Sequence, residues 1–191
     1  MAGHTSVAVM GTHGKSSTSA KLAFALARLG QDPSYAVGAD LELPGSGGHA
    51  GAGGVFVAEV DESDRTHIGT PMDVAVITNI AHDHPENYAD ESDVVRAFEE
   101  CVATGLAGHG TLILNADSVG CRELADRMAK SEPGTTVVTV GESSDADWRL
   151  SQVRGACGRP TAALSGPGGL CAELGLRVPG VHQLANAARR W

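Results

Sequence analysis

The feature that most constrains the fold is a short apolar stretch that runs directly into a glycine turn, a lysine and two serines. Residues 6–10 have the apolar, β-branched character of a buried strand, and Leu22, Leu26 and Leu29 recur at helical spacing after the turn. A strand, a glycine turn and a helix in this order commonly support bound phosphate. A tight connection without a ligand is the alternative, and the flanking strand and helix argue against it.

The turn contains the residue types that a phosphate site requires. Its glycines let backbone N–H groups approach oxyanions, and Lys15 can neutralise the terminal phosphates. Ser16 or Ser17, at the start of the helix, can supply a hydroxyl to Mg²⁺. The pattern therefore predicts ATP or a similar nucleotide, bound with magnesium, although Val9 stands where the commoner phosphate loop has its first glycine. The predicted nucleotide-binding residues of the turn are Gly11, Thr12, His13, Gly14, Lys15, Ser16 and Ser17.

Composition sets the size of the fold and disfavours several classes of partner. The 191 residues are 42% hydrophobic, which is enough for one α/β domain with a real core. A net charge of -9 disfavours nucleic acid and anionic membranes, and no run approaches the ~20 apolar residues of a membrane span. The four cysteines form no Cys-x-x-Cys pair, which is typical of reduced thiols. We therefore expect a soluble, cytoplasmic protein.

Alternating strand and helix patterns predict an α/β fold with a P-loop-type, mostly parallel, doubly wound sheet. Strands are expected at 6–10, 34–37, 55–58, 74–77, 111–114 and 135–140, with helices after the glycine turn, at 93–104 and at 119–130. A glycine-rich loop is expected at 44–54. After Gly141, short segments at 148–153, 161–164 and 172–178 predict a small antiparallel addition near the C-terminus, followed by a helical segment within 178–188.

Polar residues follow two more of the predicted strands. Glu59 begins the run Glu-Val-Asp-Glu-Ser-Asp, and residues 78–84 read Thr-Asn-Ile-Ala-His-Asp-His. Because ligands of doubly wound sheets bind beyond the carboxyl ends of the strands, both runs are expected to face the crevice of the glycine turn. A carboxylate near phosphates is costly unless a cation lies between them, so Glu59 is predicted to bind Mg²⁺. For residues 61–64 an exposed acidic loop is the alternative.

His82 and His84 occupy alternate positions, which on an extended segment would direct both imidazoles the same way. Such a pair is compatible with a transition-metal site. A third ligand at a defined spacing is missing, and histidine more often serves as a hydrogen-bonding group, so zinc is not predicted.

Taken together, these motifs resemble those of the Mur ligases, the ATP-dependent amide ligases of peptidoglycan precursor synthesis. The motifs in family order are Gly-Thr-His-Gly-Lys-Ser at 11–16, Glu-Val-Asp-Glu-Ser-Asp at 59–64, Thr-Asn-Ile-x-x-Asp-His at 78–84 and Pro-Gly-x-His-x-x-x-Asn-Ala at 179–187. The resemblance covers residues 1–191 as the family's central ATP-binding domain. It implies an N-terminal domain for a UDP-sugar and a C-terminal domain for an amino acid, both outside this chain.

The resemblance implies roles for individual residues. Lys15 would contact the β- and γ-phosphates, and Ser16 would supply a hydroxyl to Mg²⁺. Glu59 would coordinate the metal, and His84 would hold a second Mg²⁺ near the γ-phosphate, which makes Lys15 and His84 the implied catalytic residues. Asn186, in the last motif, would help to recognise adenine.

Some positions depart from the family's usual residues. Gln183 stands where asparagine is usual, and Ala81, His82 and Pro85 depart from the commoner acidic and methionine residues. Sister branches carry a carbamylated lysine in the helix after that histidine. Residues 93–104 contain no lysine, so Glu99 or Glu100 is the candidate for that negative charge.

The resemblance is strongest to the branch that adds L-alanine to UDP-N-acetylmuramate, or to its recycling relative that adds a peptide. The implied reaction transfers the γ-phosphate of ATP to a carboxylate of the sugar nucleotide, and an amine then attacks the acyl phosphate to form an amide. A stand-alone P-loop module that binds or hydrolyses ATP without ligase activity is the alternative.

Overall fold

The computed structural model describes residues 3–41, 46–61, 69–83, 87–106, 109–155, 158–177 and 182–188. These residues form one mixed sheet of ten strands with four α-helices. The strands are β1 (Thr5–Met10), β2 (Ser34–Ala36), β3 (Gly48–His49), β4 (Val55–Glu59), β5 (Val74–Ile77), β6 (Thr111–Asn115), β7 (Thr136–Gly141), β8 (Trp148–Arg154), β9 (Thr161–Ser165) and β10 (Cys171–Gly175). The helices are α1 (Lys15–Arg28), α2 (Glu91–Leu106), α3 (Val119–Ser131) and α4 (His182–Ala188).

The topology puts the end of β1 at the point where the strand order changes direction. Across the sheet the order is β10-β9-β8-β7-β6-β5-β1-β4-β2-β3, so β1 lies between β4 and β5 and is parallel to both. Val9 pairs with Glu59, and Met10 pairs with Ile77. The three strands therefore end at one level, where such sheets leave a crevice for a ligand.

Helices cover both faces of the sheet, as expected for a doubly wound fold. On one face, Met10, Ile77 and Leu114 are buried with residues of α2 and α3, including Phe98 and Leu124. The opposite faces of the same strands pack towards α1, and their buried residues are Val7, Val9, Val57 and Val76 with Ala23 of the helix. Burial on both faces explains the near-continuous apolar sequence of these strands. The α/β, mostly parallel prediction is confirmed, and no described helix is both long and apolar enough to cross a bilayer.

The antiparallel addition is also confirmed, and it extends the main sheet. β8 joins β7 through a short parallel contact at Val140–Trp148, and β9 and β10 then add antiparallel. Leu150, Leu164 and Leu174 are buried under α4 through Leu184. The addition therefore gives α4 the apolar surface that a seven-residue helix needs to be stable.

The glycine-rich segment at 44–54 is not a loop throughout. Its described residues include β3, which pairs antiparallel with β2. A Cβ on Gly53 would lie 1.7 Å from the carbonyl oxygen of Gln31, and one on Gly51 would lie 2.1 Å from that of Asp32. Glycine is required here because two backbone segments touch directly, a contact that composition alone did not reveal.

Asp73, just before β5, links that strand to β1. Its Oδ2 accepts hydrogen bonds from the Ser6 N–H at 2.7 Å and the Ser6 hydroxyl at 2.8 Å, and these bonds lower the pKa of Asp73. A lowered native pKa stabilises the fold above the unfolded pKa, near 3.8, and this contribution disappears as pH falls through the native value. We expect Asp73→Ala to lower stability at pH 7 and the difference from wild type to shrink below about pH 4.

Equilibrium denaturation at pH 7 and at about pH 2.5 measures this effect, since the linkage acts between the two pKa values. The exposed Asp126 of α3 provides the control Asp126→Ala. A difference between wild type and Asp73→Ala that is the same at both pH values would contradict the linkage.

Candidate functional site

The glycine turn connects β1 to the N-terminus of α1. Gly11 has φ +120° and Gly14 has φ +85°, backbone conformations that favour glycine. Gly14 caps α1 without a side-chain hydrogen bond. The first N–H groups of an α-helix have no partner within the helix and carry the positive end of its dipole. Such helix N–H groups beside a glycine turn are a common binding site for phosphate.

The two glycines also allow close packing against other parts of the chain. A Cβ on Gly11 would lie 2.4 Å from Thr78 Oγ1 and 2.7 Å from the carbonyl oxygen of Asn79. One on Gly14 would lie 3.2 Å from Asn186 Oδ1. In the sequence, only the approach of a phosphate explains these glycines. The structure adds a second reason, because a side chain at Gly11 would collide with the residues after β5.

A network of hydrogen bonds joins the turn to the segment after β5. Thr12 N–H donates to the carbonyl oxygen of Asn79 at 3.1 Å, and Thr12 Oγ1 exchanges hydrogen bonds with both backbone groups of Ala81. His13 N–H donates to Asn79 Oδ1 at 3.1 Å. Asn79 Nδ2 and Thr78 Oγ1 both donate to the carbonyl oxygen of His13, each at 2.6 Å. The backbone N–H groups of Thr12 and His13 are thus used within the protein.

Ser16 and Glu59 form an oxygen pair at the start of α1. Ser16 Oγ donates to Glu59 Oε1 at 2.7 Å, and Gly38 N–H donates to Glu59 Oε2 at 2.7 Å. The separation of Ser16 Oγ and Glu59 Oε1 is within about 0.3 Å of the ~3.0 Å edge of an octahedron with Mg–O bonds of about 2.1 Å. Both donors are hard oxygens, as Mg²⁺ prefers, so the residues present fit the ion.

The described residues contain no group of three or more His, Cys, Asp or Glu side chains that could hold a metal.

Lys15 lies next to this pair in sequence and on the same edge of the sheet. Its Nζ is 3.7 Å from Asp61 Oδ1, and the side chain is only 16% exposed, whereas that of Asp61 is 63% exposed. An ion pair with so exposed a partner contributes about 0–1 kcal/mol to the stability of the fold.

The last helix approaches the turn from the other end of the sequence. Asn186 is 9% exposed and lies against Gly14. Lys21 of α1 donates hydrogen bonds to the carbonyl oxygen of Ser17 and to Gln183 Oε1 of α4. Gln183 therefore helps to attach α4 to α1.

Two histidines and a glutamate singled out in the sequence analysis lie away from the contacts described so far or outside the described residues. His84, the predicted second magnesium ligand, lies outside the described residues. His82 is described, and its Nε2 is 3.1 Å from the carbonyl oxygen of Tyr88. Glu99 forms a 3.1 Å ion pair with Arg127 between α2 and α3. The role of Glu99 or Glu100 as the negative charge in place of the carbamylated lysine stays a prediction.

Fold and site define an α/β domain with a glycine turn, a lysine and a Ser16–Glu59 oxygen pair at the switch point of a mostly parallel sheet. Residues 9–189 match the model of the Mur ligase middle domain. The chain therefore belongs to the Mur ligase family, as its middle domain, which confirms the resemblance seen in the sequence.

Within this family, the chain is similar to several UDP-N-acetylmuramate–L-alanine ligases. The chain is 44% identical over 187 residues to a UDP-N-acetylmuramate–L-alanine ligase of Acidothermus cellulolyticus and 42% identical over 191 residues to that of Streptomyces coelicolor. Each match covers 98% of this chain and 39% of the relative. The structure of the UDP-N-acetylmuramate–alanine ligase of Thermotoga maritima is similar with a TM-score of 0.80 and 27% identity, over 98% of this chain and 40% of that one. The chain thus spans about two fifths of the length of these relatives.

Proposed function

We propose that this chain is the ATP-binding part of a ligase that joins L-alanine to UDP-N-acetylmuramate. The observation that carries the proposal is the Ser16–Glu59 oxygen pair beside Lys15 at the N-terminus of α1. The names of relatives that match 98% of the chain support the choice of substrates. Because the chain spans two fifths of those relatives, we assign the surfaces for the sugar nucleotide and the amino acid to other parts of the protein.

The proposed reaction has two steps. A carboxylate oxygen of the sugar nucleotide attacks the γ-phosphorus of ATP, the bond to the β-phosphate oxygen breaks, and ADP leaves. The amine of L-alanine then attacks the carbonyl carbon of the acyl phosphate, inorganic phosphate leaves, and the nitrogen loses a proton. Both steps bring anionic groups together, so fixed positive charge is the main requirement.

Residues at the glycine turn and at the end of β4 would supply this positive charge, directly or through Mg²⁺. Lys15, the first residue of α1, has a side chain that is largely shielded from solvent, and its charge would act on the terminal phosphates. Ser16 and Glu59 would hold Mg²⁺, which when bound neutralises phosphate charge. Asn186 would face the base of the nucleotide, and His84 would hold a second Mg²⁺.

We place the reaction in the cytoplasm, where thiols stay reduced. Cys101 and Cys121 are both buried and carry thiols in this structure. Burial raises the pKa of Cys101 to about 12, so this thiol is protonated and inert at neutral pH.

Glu59→Gln tests the magnesium site. This variant keeps the size of the side chain and removes its charge, so we expect ATP binding in the presence of Mg²⁺ to weaken about tenfold or more, since hydrogen bonds and contacts to a charged group contribute about 1.5–3 kcal/mol. Calorimetry with and without Mg²⁺ measures the effect. The exposed Glu173 of β10 provides the control Glu173→Gln. Full magnesium dependence in Glu59→Gln would exclude Glu59 as a ligand.

The ligase itself is tested with the whole protein that contains this chain. We expect ADP release to require both UDP-N-acetylmuramate and L-alanine. ADP release at the same rate without either substrate would instead favour an ATP-hydrolysing module.

A further inference from the structure

We propose that Asn79 is a positioning residue that holds the glycine turn in its nucleotide-binding shape and couples nucleotide binding to residues 79–83. The proposal rests on the proposed ATP-binding function and goes beyond it, because Asn79 acts through the turn and not on the ligand. Its basis is the network of hydrogen bonds between the turn and the end of β5.

Asn79 holds two consecutive peptide units of the turn. Its main-chain oxygen accepts from Thr12 N–H, and its carboxamide pairs with both polar groups of the His13 backbone, accepting at 3.1 Å and donating at 2.6 Å. A carboxamide carries an acceptor and two donors on one rigid group, so it can copy the pairing of a neighbouring strand. The side chain thus continues the β1–β5 pairing beyond the point where both strands end.

This contact matters for the ligand because the turn is intrinsically adaptable. Gly11 and Gly14 both have positive φ, and glycine reaches many other backbone conformations at little cost. Lys15 and Ser16 follow directly, so their positions depend on the shape of the turn. If only a fraction of the molecules has the competent shape, the apparent affinity falls by that fraction.

The same network provides the coupling. Thr12 Oγ1 accepts from Ala81 N–H at 3.0 Å and donates to its carbonyl oxygen at 3.2 Å, two residues beyond Asn79. A ligand that orders the turn therefore also orders residues 79–83, which are bonded to it. Part of the binding free energy is then used to order that segment.

A strand-end asparagine that only stabilises the fold is the competing explanation, and the chain offers a matched case. Asn115 ends the neighbouring parallel strand β6, and its Oδ1 accepts the N–H of Asp117 at 3.0 Å within its own turn. Asn79→Ala and Asn115→Ala thus remove the same group from equivalent ends of adjacent strands. Only the first removes a bond to the glycine turn.

Calorimetric titration of the chain with ATP and Mg²⁺ compares the two variants, with thermal melts as the measure of stability. We expect Asn79→Ala to bind about 25-fold more weakly than wild type, since it loses two hydrogen bonds of the turn, each worth about a factor of five. Asn115→Ala is expected to bind within about twofold of wild type. Equal affinities of the two variants would overturn the positioning role.

Amide hydrogen exchange tests the coupling in the wild-type chain and does not depend on a variant that folds. We expect ATP with Mg²⁺ to slow exchange at residues 11–16 and also at residues 79–83. Protection confined to residues 11–16 would overturn the coupling. If the wild type binds no nucleotide, the proposed function fails, whereas faster exchange of residues 11–16 in ligand-free Asn79→Ala would still support the positioning role.

Discussion

Replacing Lys15 with alanine is expected to abolish ligase turnover by the whole protein and to weaken ATP binding by this chain. Lys15 is the first residue of α1 and its side chain is only 16% exposed, so its charge would act on bound phosphates with little screening. Removing one preorganised charge donor from such a site lowers turnover by about 10²–10³-fold or more. Steady-state ADP release and calorimetric titration with ATP and Mg²⁺ measure the two effects.

Lys130→Ala is the matched control for this experiment. Lys130 is exposed in the last turn of α3, and replacing it with alanine removes one positive charge, as Lys15→Ala does. We expect it to leave turnover and nucleotide affinity unchanged. Equal activity of Lys15→Ala and Lys130→Ala would refute the assignment of the glycine turn as a phosphate site.

The second large effect is expected for Gly11→Ala. The new Cβ would lie 2.4 Å from Thr78 Oγ1 and 2.7 Å from the carbonyl oxygen of Asn79, at a residue with φ +120°. Backbone strain and overpacking would act together, and we expect the free energy of unfolding to fall by about 3 kcal/mol or more. Nucleotide binding should be lost as well, because Thr78 and Asn79 cannot keep their bonds to His13 if they move aside.

Gly30→Ala separates the two causes. Gly30 also has positive φ, at +76°, but a Cβ there would meet no atom within 4 Å. We expect this variant to lose only about 1 kcal/mol, the cost of the left-handed conformation. Chemical denaturation of both variants measures the difference. Similar losses in the two would show that the contact with Thr78 does not constrain Gly11.

Much of the fold follows from local patterns that sequence reasoning can use. The apolar runs at 55–58 and 74–77 predicted β4 and β5 almost to the residue, because strands buried on both faces need continuous apolar sequence. The helix predicted at 93–104 is observed as Glu91–Leu106. The strand β3 could not be predicted in this way, because its two residues have no apolar pattern. It forms because nearby glycines let the backbone approach residues 31–36.

The candidate site was only partly accessible from the sequence. Lys15, Ser16 and Glu59 could be predicted, since each follows directly on a predicted strand or begins the first helix. The hydrogen bond from Gly38 to Glu59 could not be predicted from the sequence. It uses a backbone N–H, which nearly all residues have, and Gly38 and Glu59 lie 21 positions apart. Asn79 was visible as a polar residue at a strand end, but not as the partner of His13.

The sequence by itself determined the order of the elements and the kinds of groups available to a phosphate site. These are local properties, set by the spacing of apolar residues and by the chemistry of each side chain. Only the tertiary structure decided which groups meet, namely Ser16 with Glu59, Asn79 with His13, and Asn186 with Gly14. The reason is that strand order and register place these residues together, and both result from packing over the whole chain.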